Sequence, residues 1–574
     1  MVLLELLLAG YSHHWYNSRE RISVICPLLG GVHAILHESP ESEQTPTTVA
    51  LDTHVQALPL EASYDDPQKK GPVKRHTVWG GRTFRFNLKN FLPGRNFSLR
   101  RFSIVEAALL LMLALLASRG LGVVRQTIFN ALFGTGPEAN AYYAAARLPD
   151  TLFNLIAGGA LTHAFIPVFL SHENDHGKQE AWRLASLVFN LMLVALTLVV
   201  FIGEFFAPTF VNTLIVPGYS HSEQVLTTSL TRIILIQPLI LALGTVITAV
   251  LNGKRQFLLP ALSIAVYNIG LIGGLLVALA VPGVGIYGPT YGILAAAVLQ
   301  VGVQVPALLK QGFRYSFVWD IRDPGLWEVM KLLGPNALAV AIGSIGFLVD
   351  TAFVSYLPDK SSLAAIHNAQ LLYALPEALI AQAIGLALLP HLATQAAAGR
   401  FVRMRQTAFK VMGGAIALTV PAAILLWLLG KPIIRLLFQH GAFTAHSSEL
   451  TSLALTAYAV GLPGIIAGEL IAGGFFALKD TRTPLITNIF ALATRYGLIV
   501  FLLQVFHGIY IILAIPLALS GSATAEAVLM CAILLWRLQK RVALDKGMVR
   551  LLQRRKYKER QKLMQDGMLI KKEM

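Results

Sequence analysis

The sequence predicts an all-α polytopic membrane protein of about twelve transmembrane helices, in two six-helix lobes around a central cavity. Three observations predict it. The 574-residue chain is 55% hydrophobic and only 14% charged, with a mean hydropathy of +0.61, whereas soluble domains carry roughly 25% charged residues. From Ile104 onward, apolar segments recur at or above the ~20-residue length that a helical span requires. Stretches in the two halves also match each other at a nearly constant offset, the mark of a tandem duplication.

The segments run approximately over 104–131, 141–170, 184–210, 225–251, 258–281 and 286–309, then 332–357, 362–395, 408–430, 450–478, 483–506 and 509–536. Their loops alternate in charge. One set holds NGKRQF, the Lys310 to Lys331 loop, AAGRFVRMRQ and KDTRTP; the other holds FGTGPEAN, VPGYSHSEQ, VPGVGIYGP and FHGIY, without Lys or Arg. The positive-inside rule puts the first set and both termini in the cytoplasm, with Lys360, Lys431 and Arg435 as mild departures. The net charge of +16 sits mostly in two tails and these loops, so it describes topology rather than a groove for nucleic acid.

Residues 1–100 read as an N-terminal extension. MVLLELLLAG and ISVICPLLGGVHAIL are too short to span, no signal-peptide pattern is evident, and HESPESEQTPTTVALDTH has a disorder-like composition. Between Pro67 and Arg101 stand ten Lys or Arg and no acid, a juxtamembrane patch suited to anionic lipid. The rest divides into an N-lobe at 101–310, a cytoplasmic interlobe loop at 311–331, a C-lobe at 332–540 and a basic cytoplasmic tail at 541–574. The halves are related through LPDTLFNLIAGGALTHAFIPVF and LPEALIAQAIGLALLPHLA, and through VLNGKRQFLLP and ALKDTRTP. The offsets are 376 minus 149, or 227, and 484 minus 260, or 224. Because six spans is an even number, the copies share one orientation, with the substrate site expected between them.

Cys26 and Cys531 suggest no disulfide framework, no Cys/His cluster has metal-ligand spacing, and no GxSxG, Walker A or HExxH motif occurs. The reading is a transporter or flippase rather than an enzyme, without cofactor or structural metal, driven by Na+ or H+ coupling or by membrane potential.

The candidate site begins with Arg119 and Arg125. A guanidinium in hydrocarbon costs ~2.5 to 3.5 kcal/mol even on insertion scales, so it persists beside an aqueous cavity, an anionic partner or an interface. Arg119 lies about 24 Å along the helix from Ser103, a long reach for snorkelling, and is read as lumenal, with a structural ion pair as the alternative; Arg125 is ~9 Å higher, near the rim, and is read as facing the lumen or as snorkelling to the interface. Gly120 and Gly122 either let the helix bend so that both arginines face one lumen or permit close packing. Asp350, deep in the seventh span, needs a cation, a proton or an arginine. Glu377 is read as capping a helix start, Glu469, Arg495 and Glu526 as pairing with one another, and His163 and His391 as interfacial packing residues.

The order of SRGLGVVRQTIFNALFGTG, ANAYYAAARLPDTLFNLIAGGALTHAFIPVF, LLGPNALAVAIGSIGFLVDTAF, LFQHGAFT and FFALKDTRTP resembles the MurJ (MviN) family of lipid II flippases, in the multidrug/oligosaccharidyl-lipid/polysaccharide exporter superfamily. The likeness covers residues 104 to about 540. It implies a cationic cavity that receives the head group of an undecaprenyl-linked substrate, lipid II, and alternating access across the bacterial inner membrane for cell wall synthesis. The family's first-helix arginines match Arg119 and Arg125, and Arg147 matches a basic position before Leu148 and Pro149. Guanidinium forks suit pyrophosphate because they bind it bidentately and stay charged. Family members with a sodium site use an acid on the seventh helix, here Asp350, with Asn488 and Thr524 as the matching polar groups.

Four departures mark a divergent member. Asn140 stands at a commonly acidic position. Phe153, beside Asn154, and Leu371, beside Gln370, stand where the family has arginines. The family's two further helices, which hold the lipid tail, are replaced after Trp536 by the basic LLWRLQKRVALDKGMVRLLQRRKYKER. The alternative readings are an exporter of another polyprenyl-linked glycan, a MATE-like cation-coupled drug antiporter, or a transport-dead scaffold.

Overall fold

The structure, a computed structural model, describes residues 104–156 and 159–542. The readings of residues 1–100 and of the tail beyond Val542, with their anionic-lipid patches, lie outside the described residues. No strand occurs among the described residues. Among the described residues nine helices are long and apolar enough to cross a membrane: Lys178–Ile215, His221–Gly253, Leu258–Ala280, Tyr287–Lys310, Ser362–Ala397, Phe401–Phe438, Ala445–Ala477, Arg482–Val505 and Gly508–Val542. The first span, Ile104–Phe133, the second, Pro137–Ile156 with Gly159–His176, and the seventh, Pro324–Ser355, complete the twelve.

Local chemistry sets the helix starts. Ser220 and Glu223 form a capping box at the fourth span. Thr444 accepts the Ser447 N–H at the tenth. Asp323, followed by Pro324, accepts the N–H groups of Gly325 and Leu326 and so begins the seventh span inside the segment read as the 311–331 loop. That loop is therefore a short strap, residues 311–323.

The duplication extends to backbone geometry. Among the described residues, Arg255 (φ 60°) and Lys479 (φ 59°) are the two non-glycine residues in the left-handed region. They are repeat equivalents: 479 minus 255 is 224, the offset between Pro260 and Pro484. Each ends a helix five residues before its proline, so both lobes make the same sharp turn between their fourth and fifth helices.

Two cores organise the bundle. One is centred on the half of the N-lobe nearest the cation-rich loops. It gathers Phe165, Phe169, Trp182, Leu187 and Val250, and takes in Leu326, Val329 and Leu333 from the opening turns of the seventh span. The other runs across both lobes, from Phe129, Tyr143 and Leu230 to Val354, Leu363, Phe443 and Tyr458. The lobes thus meet in a shared core towards the cation-poor loops. The approach there is close: Gly134 has φ 59°, and a Cβ on it would lie 2.4 Å from the Ala442 carbonyl oxygen.

Candidate functional site: a lumen between the lobes

The first span carries Arg119 and Arg125, both partly buried, on an unbroken helix through Gly120 and Gly122. A Cβ on Gly122 would come within 3.8 Å of Asn268 Oδ1 on the fifth span, and one on Gly120 would meet open space. Arg125 lines a cavity of about 130 Å³ with Tyr142, Tyr143, Asp150, Tyr267 and His367. Arg119 lies instead within electrostatic reach of Glu377 on the eighth span. Arg147 is engaged: its Nε donates to Thr351 Oγ1 at 3.1 Å, and its guanidinium stands 5.7 Å from the Phe347 ring centre. Asp150, one helical turn on and exposed to the lumen, is within its electrostatic reach.

Toward the cation-poor loops the lumen is closed by polar contacts between lobes. Gln126 Nε2 donates to Asn368 Oδ1 at 2.9 Å, and Asn130 Nδ2 donates to the same oxygen at 2.8 Å. Gln126 also donates to Tyr143 OH at 2.6 Å. Nearer the loops, Thr135 and Ser447 are hydrogen bonded at 2.7 Å, and Ala442 N–H donates to Ala131 O at 2.9 Å. Gly218 N–H donates to Ser355 Oγ at 2.9 Å.

Asn140 belongs to this closure. Its Nδ2 faces the carbonyl oxygens of Thr135, Gly136 and Lys360, while its Oδ1 accepts the Ala364 N–H at 2.7 Å. A carboxylate would set negative charge against three carbonyls, so the amide suits this contact. Phe153 packs against the N-lobe core, and Leu371 against the core shared by the lobes. Their neighbours make neutral bonds: Asn154 donates to Ser344 Oγ at 3.5 Å and Gln370 to Tyr458 OH at 3.0 Å. No charge replaces the two absent arginines at these positions.

In the C-lobe, Asp350 of the seventh span forms a buried ion pair with Arg495 of the eleventh. Asn488 lines a cavity of about 130 Å³ beside Arg495, Ser522 and Glu526. Thr524 does not join them: it donates to Ser520 O at 2.7 Å and lines a separate apolar groove of about 810 Å³ with Val460, Phe490 and Leu517. Mutual pairing of Glu469, Arg495 and Glu526 is not what forms. Arg495 takes Asp350, Glu526 stands beside Thr487, and Glu469 stands beside Glu377. Glu377 caps no helix start; it ends the helix Ser362–Glu377 within the eighth span, where a π-helical turn, Ala378–Gln382, follows. Two carboxyl groups side by side repel when both are ionised, an arrangement eased by one proton between them.

Sequence reasoning missed Asp150, His367 and the Gln126, Asn130 and Asn368 network. The spacing of Arg147 and Asp150, three apart on one helix face, was the signal for the first. The others are ordinary polar residues on apolar helices, each of which is a functional candidate at that depth. Among the described residues no group of three or more His, Cys, Asp or Glu is placed to hold a metal ion.

A two-lobed bundle with a cavity lined by Arg125 and His367 between the lobes is an architecture shared with known transporters. The family model for the lipid II flippase MurJ matches residues 129–557. The chain belongs to the MurJ family. It is similar to the probable lipid II flippase MurJ of Rhizobium meliloti (strain 1021), 30% identical over 437 residues that cover 74% of this chain and 79% of that protein. It is also similar to the lipid II flippase MurJ of Burkholderia cenocepacia, 28% identical over 64% of this chain and 72% of that one. Among solved structures, a MurJ in the inward closed conformation superposes with a TM-score of 0.64 at 26% identity, over 74% of this chain and 86% of that chain. An inward-facing multidrug resistance transporter of the MATE family matches at TM-score 0.63 and 14% identity, over 76% and 99%, a likeness of fold alone. The MurJ match begins at Phe129, so Arg119 and Arg125 stand just ahead of it.

Proposed function

We propose that this chain is a flippase that carries lipid II across the bacterial cytoplasmic membrane by alternating access of its two lobes, for cell wall synthesis. The observation that carries the reading is the MurJ match over most of the membrane region. The lumen geometry supports it. With the cation-rich loops in the cytoplasm, the closure lies on the outer side, and the cavity accepts a head group assembled inside the cell. Both ends of the described bundle, Ile104 and Val542, then stand on the cytoplasmic side.

Arg119, Arg125 and Arg147 serve the pyrophosphate and head group in this reading, with Arg147 also holding Thr351 across the lobe boundary. Coupling falls to a proton rather than to sodium at Asp350. A guanidinium already neutralises Asp350, whereas Glu377 and Glu469 stand side by side within reach of Arg119. Binding of a pyrophosphate to Arg119 then competes with Glu377 for the same cation.

The second reading, export of another polyprenyl-linked glycan, draws on Phe153 and Leu371, which leave the lumen two arginines short of the family pattern. Complementation of a bacterium depleted of its own MurJ separates the two: rescue supports lipid II, and a stably inserted protein that fails to rescue supports the other glycan. In the rescue assay Arg119→Ala should abolish growth at unchanged membrane abundance. Arg119→Lys should rescue poorly, because an ammonium does not reproduce the bidentate fork. Full rescue by Arg119→Ala at wild-type abundance would sink the arginine-lumen reading.

A further inference from the structure

Away from the lumen, where the sixth span joins the seventh, a cavity of about 360 Å³ opens between the third, fourth and sixth spans. Its walls are Phe189, Leu243, Val246, Val250, Val305 and Leu309, and the strap closes it with Phe313 and Tyr315. The volume falls within the ~300 to 1,000 Å³ typical of small-ligand sites, but the lining is apolar and aromatic throughout. Its one phenol turns away: Tyr315 OH donates to Asn190 Oδ1 at 2.8 Å. The strap is tied down there, with Asn190 Nδ2 donating to Val318 O at 3.0 Å and Ser316 N–H to Ser186 Oγ at 3.3 Å.

Depth and charge define what fits. Ala185 and Phe189 lie seven and eleven residues into the helix that starts at Lys178, roughly 10 to 17 Å from its end, so the cavity spans the boundary between hydrocarbon and head groups. On the strap Tyr315, Phe317, Trp319 and Ile321 are exposed, as is Trp327 just after it, the composition of an interfacial belt. Lys310 and Arg314 are exposed at the cavity's edge, and neither forms an ion pair among the described residues. The strap's acids are otherwise engaged: Asp320 lies 3.6 Å from Arg183 and Asp323 caps the seventh span, while Glu328 stands beyond, on that helix.

We propose that this cavity and strap bind one anionic glycerophospholipid of the surrounding leaflet, an acyl chain entering between the third, fourth and sixth spans and the phosphate meeting Lys310 and Arg314. The strap is the covalent link between the lobes, and the opening turns of the seventh span pack on the N-lobe core. A lipid seated there would steady the link about which the lobes rock. The site is independent of the lipid II reading, since it shares no residue with the lumen.

The test uses the full-length protein in mild detergent, titrated with phosphatidylglycerol or phosphatidylcholine of matched chains and followed by native mass spectrometry. The wild type should retain one phosphatidylglycerol in preference to phosphatidylcholine. Two interfacial cations correspond to an affinity preference of about 30-fold. Lys310→Gln with Arg314→Gln should erase that preference without weakening phosphatidylcholine binding. Leu243→Trp, at a half-buried wall position, should expel both lipids; Lys431→Gln, on the ninth span near the cation-poor loops, should change nothing. Equal retention of the two lipids by the wild type, or a preference that survives the double substitution, overturns the proposal. Retention unaffected by Leu243→Trp in a protein with wild-type melting overturns the cavity. If that variant does not fold, the exposed double substitution decides.

Discussion

His367 stacks on Tyr143, ring centres 3.9 Å apart and planes 22° from parallel, so an eighth-span ring lies flat on a second-span ring at the lobe boundary. Beside this stack Asn368 Oδ1 accepts from both Gln126 and Asn130 of the first span. Three helices from two lobes are joined at one buried point. A state open towards the cation-poor loops must break all of these contacts together.

Asn368→Ala should therefore favour that open state. It leaves the buried amides of Gln126 and Asn130 without their shared acceptor, and an unpaired buried polar group costs about 1 to 3 kcal/mol. A shift of that size changes a two-state population by roughly 5- to 150-fold. With Cys26 and Cys531 replaced by Ser, a Thr135→Cys reporter should react about tenfold faster with an impermeant maleimide from the outer side. Unchanged labelling at equal abundance would show that the network does not hold the closure.

Arg495→Ala should lower the amount of folded protein, because it strands the buried Asp350 carboxylate; breaking one side of such a pair typically costs about 3 to 5 kcal/mol. Asp350→Leu combined with Arg495→Met should restore abundance. Replacing sodium by choline should leave rescue-competent transport by the wild type unaltered. A sodium requirement would place a cation at Asp350 in some state of the cycle and contradict the pairing as the resting arrangement.

Glu377→Gln should keep the contact with Glu469, since an amide can donate to a carboxylate, while removing the exchangeable proton. Membrane abundance should stay near wild type. In proteoliposomes loaded with lipid II and a pH-sensitive dye, substrate-dependent proton movement should disappear. Proton movement persisting at the wild-type rate would exclude this pair from coupling.

Asp480→Asn should lower thermal stability in detergent at pH 7 by up to about 1 kcal/mol, the scale of a part-exposed ion pair, because the amide oxygen still accepts the N–H groups at the helix start. Asp480 accepts the N–H groups of Arg482 and Thr483 at 3.0 and 3.1 Å and pairs with Arg537 of the twelfth span. Burial by itself would raise its carboxyl, but the hydroxyl and N–H of Thr483 and the Arg537 guanidinium outweigh that and hold it below the ordinary value. A depressed carboxylate stabilises above the unfolded value of about 3.9, and that stabilisation is lost as pH falls through the folded value. The gap between Asp480→Asn and wild type should thus be full at pH 7 and shrink only in strong acid. A gap constant down to that range would leave Asp480 no role as a charged cap.

Much of the bundle was legible in the sequence because its determinants are local. A span needs only enough consecutive apolar residues, and loop charge needs no partner. The tandem repeat was readable from Pro149, Pro260, Pro376 and Pro484, and the left-handed residues Arg255 and Lys479 carry it into the backbone. Arg119 and Arg125 stood out because a guanidinium in a long apolar run is anomalous wherever the neighbours fall.

What each charge meets was decided only by the tertiary structure. Asp350 needed a cation, and its sequence context admitted sodium, a proton or an arginine; the azimuth of the eleventh helix selected Arg495, 145 residues away. Glu377 had the spacing of a cap and met Glu469 instead, and Asn488 and Thr524, paired in the sequence reading, face different cavities. Hydrophobic length decides that a helix exists, because water and lipid act on each residue by itself. Which side chains touch depends on how each helix is rotated in the bundle, and the packing of all the others sets that rotation.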